Sequence, residues 1–149
     1  MMNKIDIGIE RIDKIYHLAD IHIRNLKRHQ EYKTVFDRTV EAVKKTLGPN
    51  DIIFLGGDIV HAKTDMTPEL VQAVQEFFKM FADLAPTILI TGNHDCNLNN
   101  KSRLDALTPI VNALNHPNLH YLKESGRSEE HTSELQSHHD LVCRLLLEK

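Results

Sequence analysis

Three times along this chain a short apolar run breaks off into a cluster of carboxylate, imidazole and amide side chains. Lys14 to Ala19 runs into Asp20-Ile21-His22, Asp51 to Leu55 into Gly56-Gly57-Asp58 with His61 beyond, and Pro86 to Ile90 into Thr91-Gly92-Asn93-His94-Asp95. Runs of this length, rich in β-branched residues, read as strands, and Ile52 to Leu55 reads as one buried on both faces. Longer segments of helical periodicity lie between them. A right-handed crossover returns each strand in the same direction, so the strands should be parallel. Their carboxyl ends then share one edge of the sheet, where ligands bind in open α/β folds. The pattern predicts an α/β protein with a parallel βαβαβ sheet and three polar clusters on one rim.

The intervening helices are scaffold. From Glu31 to Leu47, Val35, Phe36, Val40, Val43 and Leu47 fall on one stripe, with Gly48 as the expected C′ residue and Pro49 barring continuation. Thr67-Pro68 is an N-cap followed by proline at N1. Leu70, Val71, Val74, Phe77, Phe78, Phe81 and Leu84 then line a buried face. A third helix is expected from Ser102 to Leu114, bent or split at Pro109, with Leu104, Leu107, Ile110, Val111 and Leu114 inward. Leu119 to Leu122 begins another strand. Ile5, Ile7 and Ile9 alternate with polar residues, as in an edge strand or an arm laid on the sheet. His116 and His120 stand outside the clusters and read as structural.

At 149 residues the chain is long enough for one domain with a real core. Its formal net charge of −3 excludes a strongly basic nucleic-acid binder, so any such contact has to come from local patches. No apolar run approaches the roughly 18 residues of a membrane span, and Met1 to Ile9 lacks the apolar core of a signal peptide. Two cysteines, Cys96 and Cys143, give no disulfide framework, which fits a reducing cytoplasm.

Asp, His and Asn together offer oxygen and nitrogen donors suited to divalent metals. Asp20 and His22, two apart in an extended chain, would project to the same side. Alone, Asp20 could cap a turn and His22 could be an incidental loop histidine. Three such clusters, each directly after an apolar strand, point to a shared site. Arg24, Lys27 and Arg28 form a basic loop beside the first cluster. They are candidates to hold phosphates, or else a solvated turn. Asn97 to Ser102 is a polar loop expected near the substrate path.

With these motifs in hand, the chain resembles the calcineurin-like metallophosphoesterase superfamily, whose blocks run Asp-x-His, Gly-Asp with a nearby histidine, then Gly-Asn-His-Asp or Glu. Gly57-Asp58-Ile59-Val60-His61 is most similar to the SbcD-type double-strand-break-repair nucleases. The resemblance covers about Lys14 to Lys123. It implies a β-sandwich flanked by helices, of which only the amino-terminal half would be present. It implies two divalent ions, manganese foremost, with Asp20 and His22 on the first, Asp58 bridging and Asn93 on the second. His94 would act on the leaving oxygen, and His61 would orient His94 or the DNA strand. It implies DNA as substrate and a coiled-coil ATPase of the SbcC kind as partner, with a homodimer possible. A phosphatase of the same superfamily is the same-fold alternative. A non-catalytic fragment that docks on a partner is the third reading. The family's later histidine blocks do not follow Leu122, so the 149-residue chain is expected to bind manganese weakly and to turn over little.

Arg127-Ser128-Glu129-Glu130-His131-Thr132-Ser133-Glu134-Leu135-Gln136-Ser137 resembles the in-frame translation of a sequencing-library adapter, and Leu141 to Leu147 resembles that adapter's far end. Residues 1–126 are therefore expected to be a truncated nuclease domain, and 127–149 a non-native tail. On this reading His138, His139, Asp140 and Cys143 are not a zinc site.

Overall fold

The computed structural model describes residues 5–97 and 102–123. Four short strands alternate with three helices: β1 (Ile15–Leu18), α1 (His29–Lys44), β2 (Ile52–Leu55), α2 (Pro68–Ala82), β3 (Thr87–Ile90), α3 (Thr108–Leu114) and β4 (Leu119–Leu122). The strands form one sheet in the order β1-β2-β3-β4, every neighbouring pair parallel. This is the expected α/β architecture, with the expected third helix and the strand after it present as α3 and β4. Among the described residues there is one sheet and no second layer of a sandwich.

Register and alternation divide the sheet into two faces. Tyr16 and Leu18, Ile53 and Leu55, Thr87 and Leu89, and Leu119 and Tyr121 lie on one. That face meets the helices in a single apolar cluster built around Phe36, Leu70, Val74, Phe77, Phe78, Phe81 and Ile110. Phe77 is its hub, with ring centroids 4.6 Å from Phe36, 5.0 Å from Phe81 and 6.0 Å from Phe78. Ile52, Phe54 and Ile90 point to the other face and are buried there. β2, at the centre, is buried along its whole length, as its unbroken apolar run requires.

Thr67 caps α2 as expected, its Oγ1 accepting the Leu70 N–H at 3.3 Å with Pro68 opening the helix. His116 is structural, its Nε2 donating to Asp83 Oδ1 at 2.7 Å. His120 lies on β4, half-buried.

Other expectations need correction. α3 begins at Thr108, not Ser102, because the Asp105 carboxylate accepts the Leu107 and Thr108 N–H groups and the Thr108 hydroxyl, so the helix starts there. Leu104, expected inward, is 67% exposed. Val35 on α1 is 55% exposed, since a stripe holding both Val35 and Phe36 is wider than the face α1 presents to α2. Gly48 is not a left-handed cap: α1 ends at Lys45 in right-handed geometry, and the Gly48 N–H instead donates to Asp51. Ile5, Ile7 and Ile9 are half-buried between exposed neighbours but join no strand, so this segment is an arm.

Candidate metal centre

β1, β2 and β3 all end at the same rim, and the backbone beyond them is laced together. Asp20 N–H donates to Gly57 O at 3.2 Å, His22 N–H to Asp58 O at 2.9 Å, and Ile23 N–H to Ile59 O at 2.8 Å. His61 N–H returns the bond to Ile23 O at 3.0 Å. Buried Ile23, Ile59 and Val60 anchor the two loops from below. The Tyr32 hydroxyl, reaching up from α1, donates to His22 O at 2.9 Å.

This lacing holds Asp20, His22 and Asp58 at φ values of 55°, 50° and 51°, in the left-handed region. Such backbone costs about 1–3 kcal/mol per residue and persists where the surroundings over-determine it, often at functional sites. Asp20 and His22 therefore do not converge by strand alternation, as the sequence suggested, but through two left-handed residues braced against the β2 loop. His22 Nε2 lies 3.9 Å from Asp20 Oδ1. One donor atom from each of Asp20, His22 and Asp58 fits within 4.8 Å of the others, a spread one cation can span.

The loop after β3 closes on this group through two glycines. Gly57 adopts φ +89°, and a Cβ there would sit 2.4 Å from Gly92 N. A Cβ on Gly92 would sit 2.0 Å from Asp58 Oδ1. Only backbone without side chains lets the two loops approach this closely. The contact delivers the His94 N–H to Asp58 Oδ1 at 2.9 Å.

Asp95 is the brace beneath, a role its place in the Asn93-His94-Asp95 cluster did not reveal. Fully buried, its carboxylate accepts the N–H groups of Ile59 at 3.2 Å, Val60 at 3.0 Å and Gly92 at 3.0 Å. It thus ties the β2 loop to the β3 loop. Burial pushes the Asp95 carboxyl above its ordinary value, against the three N–H bonds that favour its charged form. The signal was available: an acid following Gly-Asn-His can turn inward when the loop leaves three N–H groups without partners.

Three imidazoles gather over the carboxylates. Ring centroids of His22 and His94 lie 4.7 Å apart, those of His22 and His61 5.9 Å, and those of His61 and His94 6.0 Å. His94 Nδ1 lies 2.7 Å from the His61 carbonyl oxygen, which can only accept, so Nδ1 is the donor in this bond. Desolvation first, then the charges of Arg24, His22 and His94, hold His61 below the ordinary histidine value. Asn93 is exposed beside His94, and its backbone oxygen accepts from Lys63 Nζ at 3.3 Å. Of the basic loop, Arg24 acts electrostatically on His61, while Arg28 is engaged by Glu31 at 2.5 Å. Lys27 is exposed.

The residues fit a divalent ion on a further count. His22 Nδ1 is buried with no hydrogen-bond partner, a state that is rare unless another group satisfies the atom. Two carboxylates and an imidazole are the donors that hard and borderline divalent ions take.

The parallel sheet thus carries an Asp/His/Asp group and a histidine trio on its carboxyl rim, donors suited to a divalent ion. The chain belongs to the calcineurin-like phosphoesterase family, whose sequence profile matches residues 13–142. It is 57% identical over 117 residues to an uncharacterized protein of Acanthamoeba polyphaga mimivirus, covering 77% of this chain and 9% of that protein. A similar solved structure is the nuclease MPE of Pseudomonas putida, with TM-score 0.49 and 20% identity, covering 77% of this chain and 50% of that one. The chain thus spans half or less of the length of both proteins. None of the described helices is long and apolar enough to cross a membrane.

Proposed function

We propose that this domain belongs to a metal-dependent nuclease that hydrolyses phosphodiester bonds in DNA, of the SbcD kind. The observation that carries the reading is His61 standing 6.0 Å from His94 beside the Asp20/His22/Asp58 group. A second imidazole next to the acid is what the nuclease-like Gly-Asp-Ile-Val-His block adds to the general phosphoesterase pattern.

Asp20 and His22 would hold one divalent ion, Asp58 would reach two, and Asn93 would hold the second, manganese being the ion proposed. Such ions activate water and neutralise charge on a phosphoryl group. His94, oriented by its Nδ1–H bond to the His61 carbonyl, would in its imidazolium form carry a second proton on Nε2 and give that proton to the leaving oxygen. His61 would orient His94 or the DNA strand, its carbonyl oxygen already accepting the His94 Nδ1–H. Arg24, Lys27 and Arg28 would meet flanking phosphates, Arg24 first because Glu31 already engages Arg28. Asp20, His22, Asp58 and Asn93 make up about half of a binuclear donor set, so the 149-residue chain should hold manganese weakly. A coiled-coil ATPase is the proposed partner of the whole protein, and the cytoplasm its proposed compartment.

Degradation of linear duplex DNA against turnover of an aryl phosphate, both with manganese, tests the reading on a chain carrying the complete family domain. DNA degradation that disappears in His61→Ala supports it. Turnover of aryl phosphate alone, indifferent to His61, would assign a phosphatase instead.

A further inference from the structure

The loop between β1 and α1 carries cations beside the metal rim, and one neutral side chain in it makes contacts that the rim itself does not use. Asn25 Nδ2 donates to Asp65 Oδ1 at 2.8 Å, and Asn25 Oδ1 accepts from the Thr67 hydroxyl at 2.5 Å. Asp65 and Thr67 both belong to the loop after β2, so the two ends of a single amide tie the first loop to the second. The amide has one orientation available. The Asp65 carboxylate can only accept, while Thr67 Oγ1 already accepts the Leu70 N–H and has its own proton left to give. Asparagine is the side chain of this length that offers both a donor and an acceptor on one plane.

The same tie fixes the residue before it. His29 Nε2 lies 2.7 Å from the Arg24 carbonyl oxygen, which can only accept, so the imidazole donates there. Ile23, one residue earlier, is bridged to Val60 and bonded to Ile59 and His61. Arg24 is therefore held through its predecessor, its own carbonyl and its successor. Its side chain is exposed, and among the described residues it forms no ion pair with a carboxylate, whereas Arg28 is engaged by Glu31. Arg24 lies close enough to the rim for its charge to act, after desolvation, on His61. A guanidinium with a fixed backbone and a free head is suited to meeting a phosphate.

We propose that Asn25 is a positioning residue, holding Arg24 beside the metal rim so that its guanidinium meets a phosphate of the substrate. The proposal rests on the phosphodiesterase reading above and deepens it by naming what places the cation that touches the substrate.

A double-mutant cycle on the 149-residue chain tests it. Binding of a short duplex DNA, followed by fluorescence anisotropy at several salt concentrations, and of inorganic phosphate, followed by phosphorus NMR, would be measured without added metal. Arg24→Ala should flatten the slope of log affinity against log salt by about 0.9, the loss of one phosphate contact. Asn25→Ala removes no charge, yet should flatten it by a similar amount, and the double variant should be no worse than Arg24→Ala. Asp65→Ala deletes a negative charge, which by charge alone would tighten binding to an anion. Because it also cuts the Asn25 tie, it should weaken binding instead. A wild-type slope in Asn25→Ala, a loss that adds in full to that of Arg24→Ala, or tighter binding by Asp65→Ala would each overturn the proposal. The two readings fail separately. Coupling of Asn25 to Arg24 seen with phosphate, but no affinity for DNA, counts against the nuclease reading alone. DNA binding without that coupling counts against Asn25 alone, and absence of coupling with either probe overturns its role outright.

Discussion

The main-chain N–H of His94 donates to Asp58 Oδ1 over 2.9 Å, so one bond sets the imidazole after β3 against the carboxylate after β2. It exists because Gly57 and Gly92 let two loops touch backbone to backbone. Gly92→Ala would drive a methyl group to 2.0 Å from Asp58 Oδ1. Manganese affinity should fall at least tenfold while far-UV circular dichroism stays unchanged. Wild-type affinity in the variant would mean that Asp58 takes no part in binding.

Asp95→Ala removes the acceptor for three buried N–H groups at once. Leaving buried donors without partners costs about 1–3 kcal/mol each before relaxation, so a loss of roughly 3 kcal/mol or more is expected in urea unfolding. Asp95→Asn keeps one acceptor oxygen and should lose less.

Acid should destabilise the fold through Asp51. Burial raises its carboxyl, but the Gly48 N–H and the Lys14 ammonium outweigh it and hold it below the ordinary value. A folded-state value below the unfolded one gives stability that is complete above about pH 4 and fades as the pH falls through the folded value. Asp105 and Asp83 are depressed too and act in the same sense. The urea midpoint should therefore drop between pH 5 and pH 3. In Asp51→Asn the drop should be shallower, and an equal drop would remove Asp51 from the explanation.

Phe77→Ala takes the central ring out of a cluster that joins α1, α2 and the sheet. Deleting a fully buried phenylalanine costs about 3–5 kcal/mol. The unfolding midpoint should shift accordingly, with the denaturant slope unchanged.

Much of this architecture was legible because apolar runs and helical stripes each allow few outcomes. The Ile52–Leu55 run is central, and the α2 phenylalanines face inward, as their spacing required. The convergence of the rim was also legible, since parallel strands leave their ends no other edge. What stayed hidden depended on hydrogen bonds between distant loops. The left-handed backbone of Asp20, His22 and Asp58 follows from lacing that no local pattern encodes. Asp95 looked like part of the ligand cluster but turned beneath it. Asp105 fixed the start of α3 through its side chain, where apolar spacing alone suggested six more residues of helix.

The central claim is that Asp20, His22 and Asp58 share a cation. Manganese titrated into the chain and followed by the loss of its free-ion electron paramagnetic resonance signal tests this most directly. Weak binding is expected, and Asp58→Asn and His22→Ala should each abolish it while both variants stay folded. Undiminished binding in both variants would contradict it.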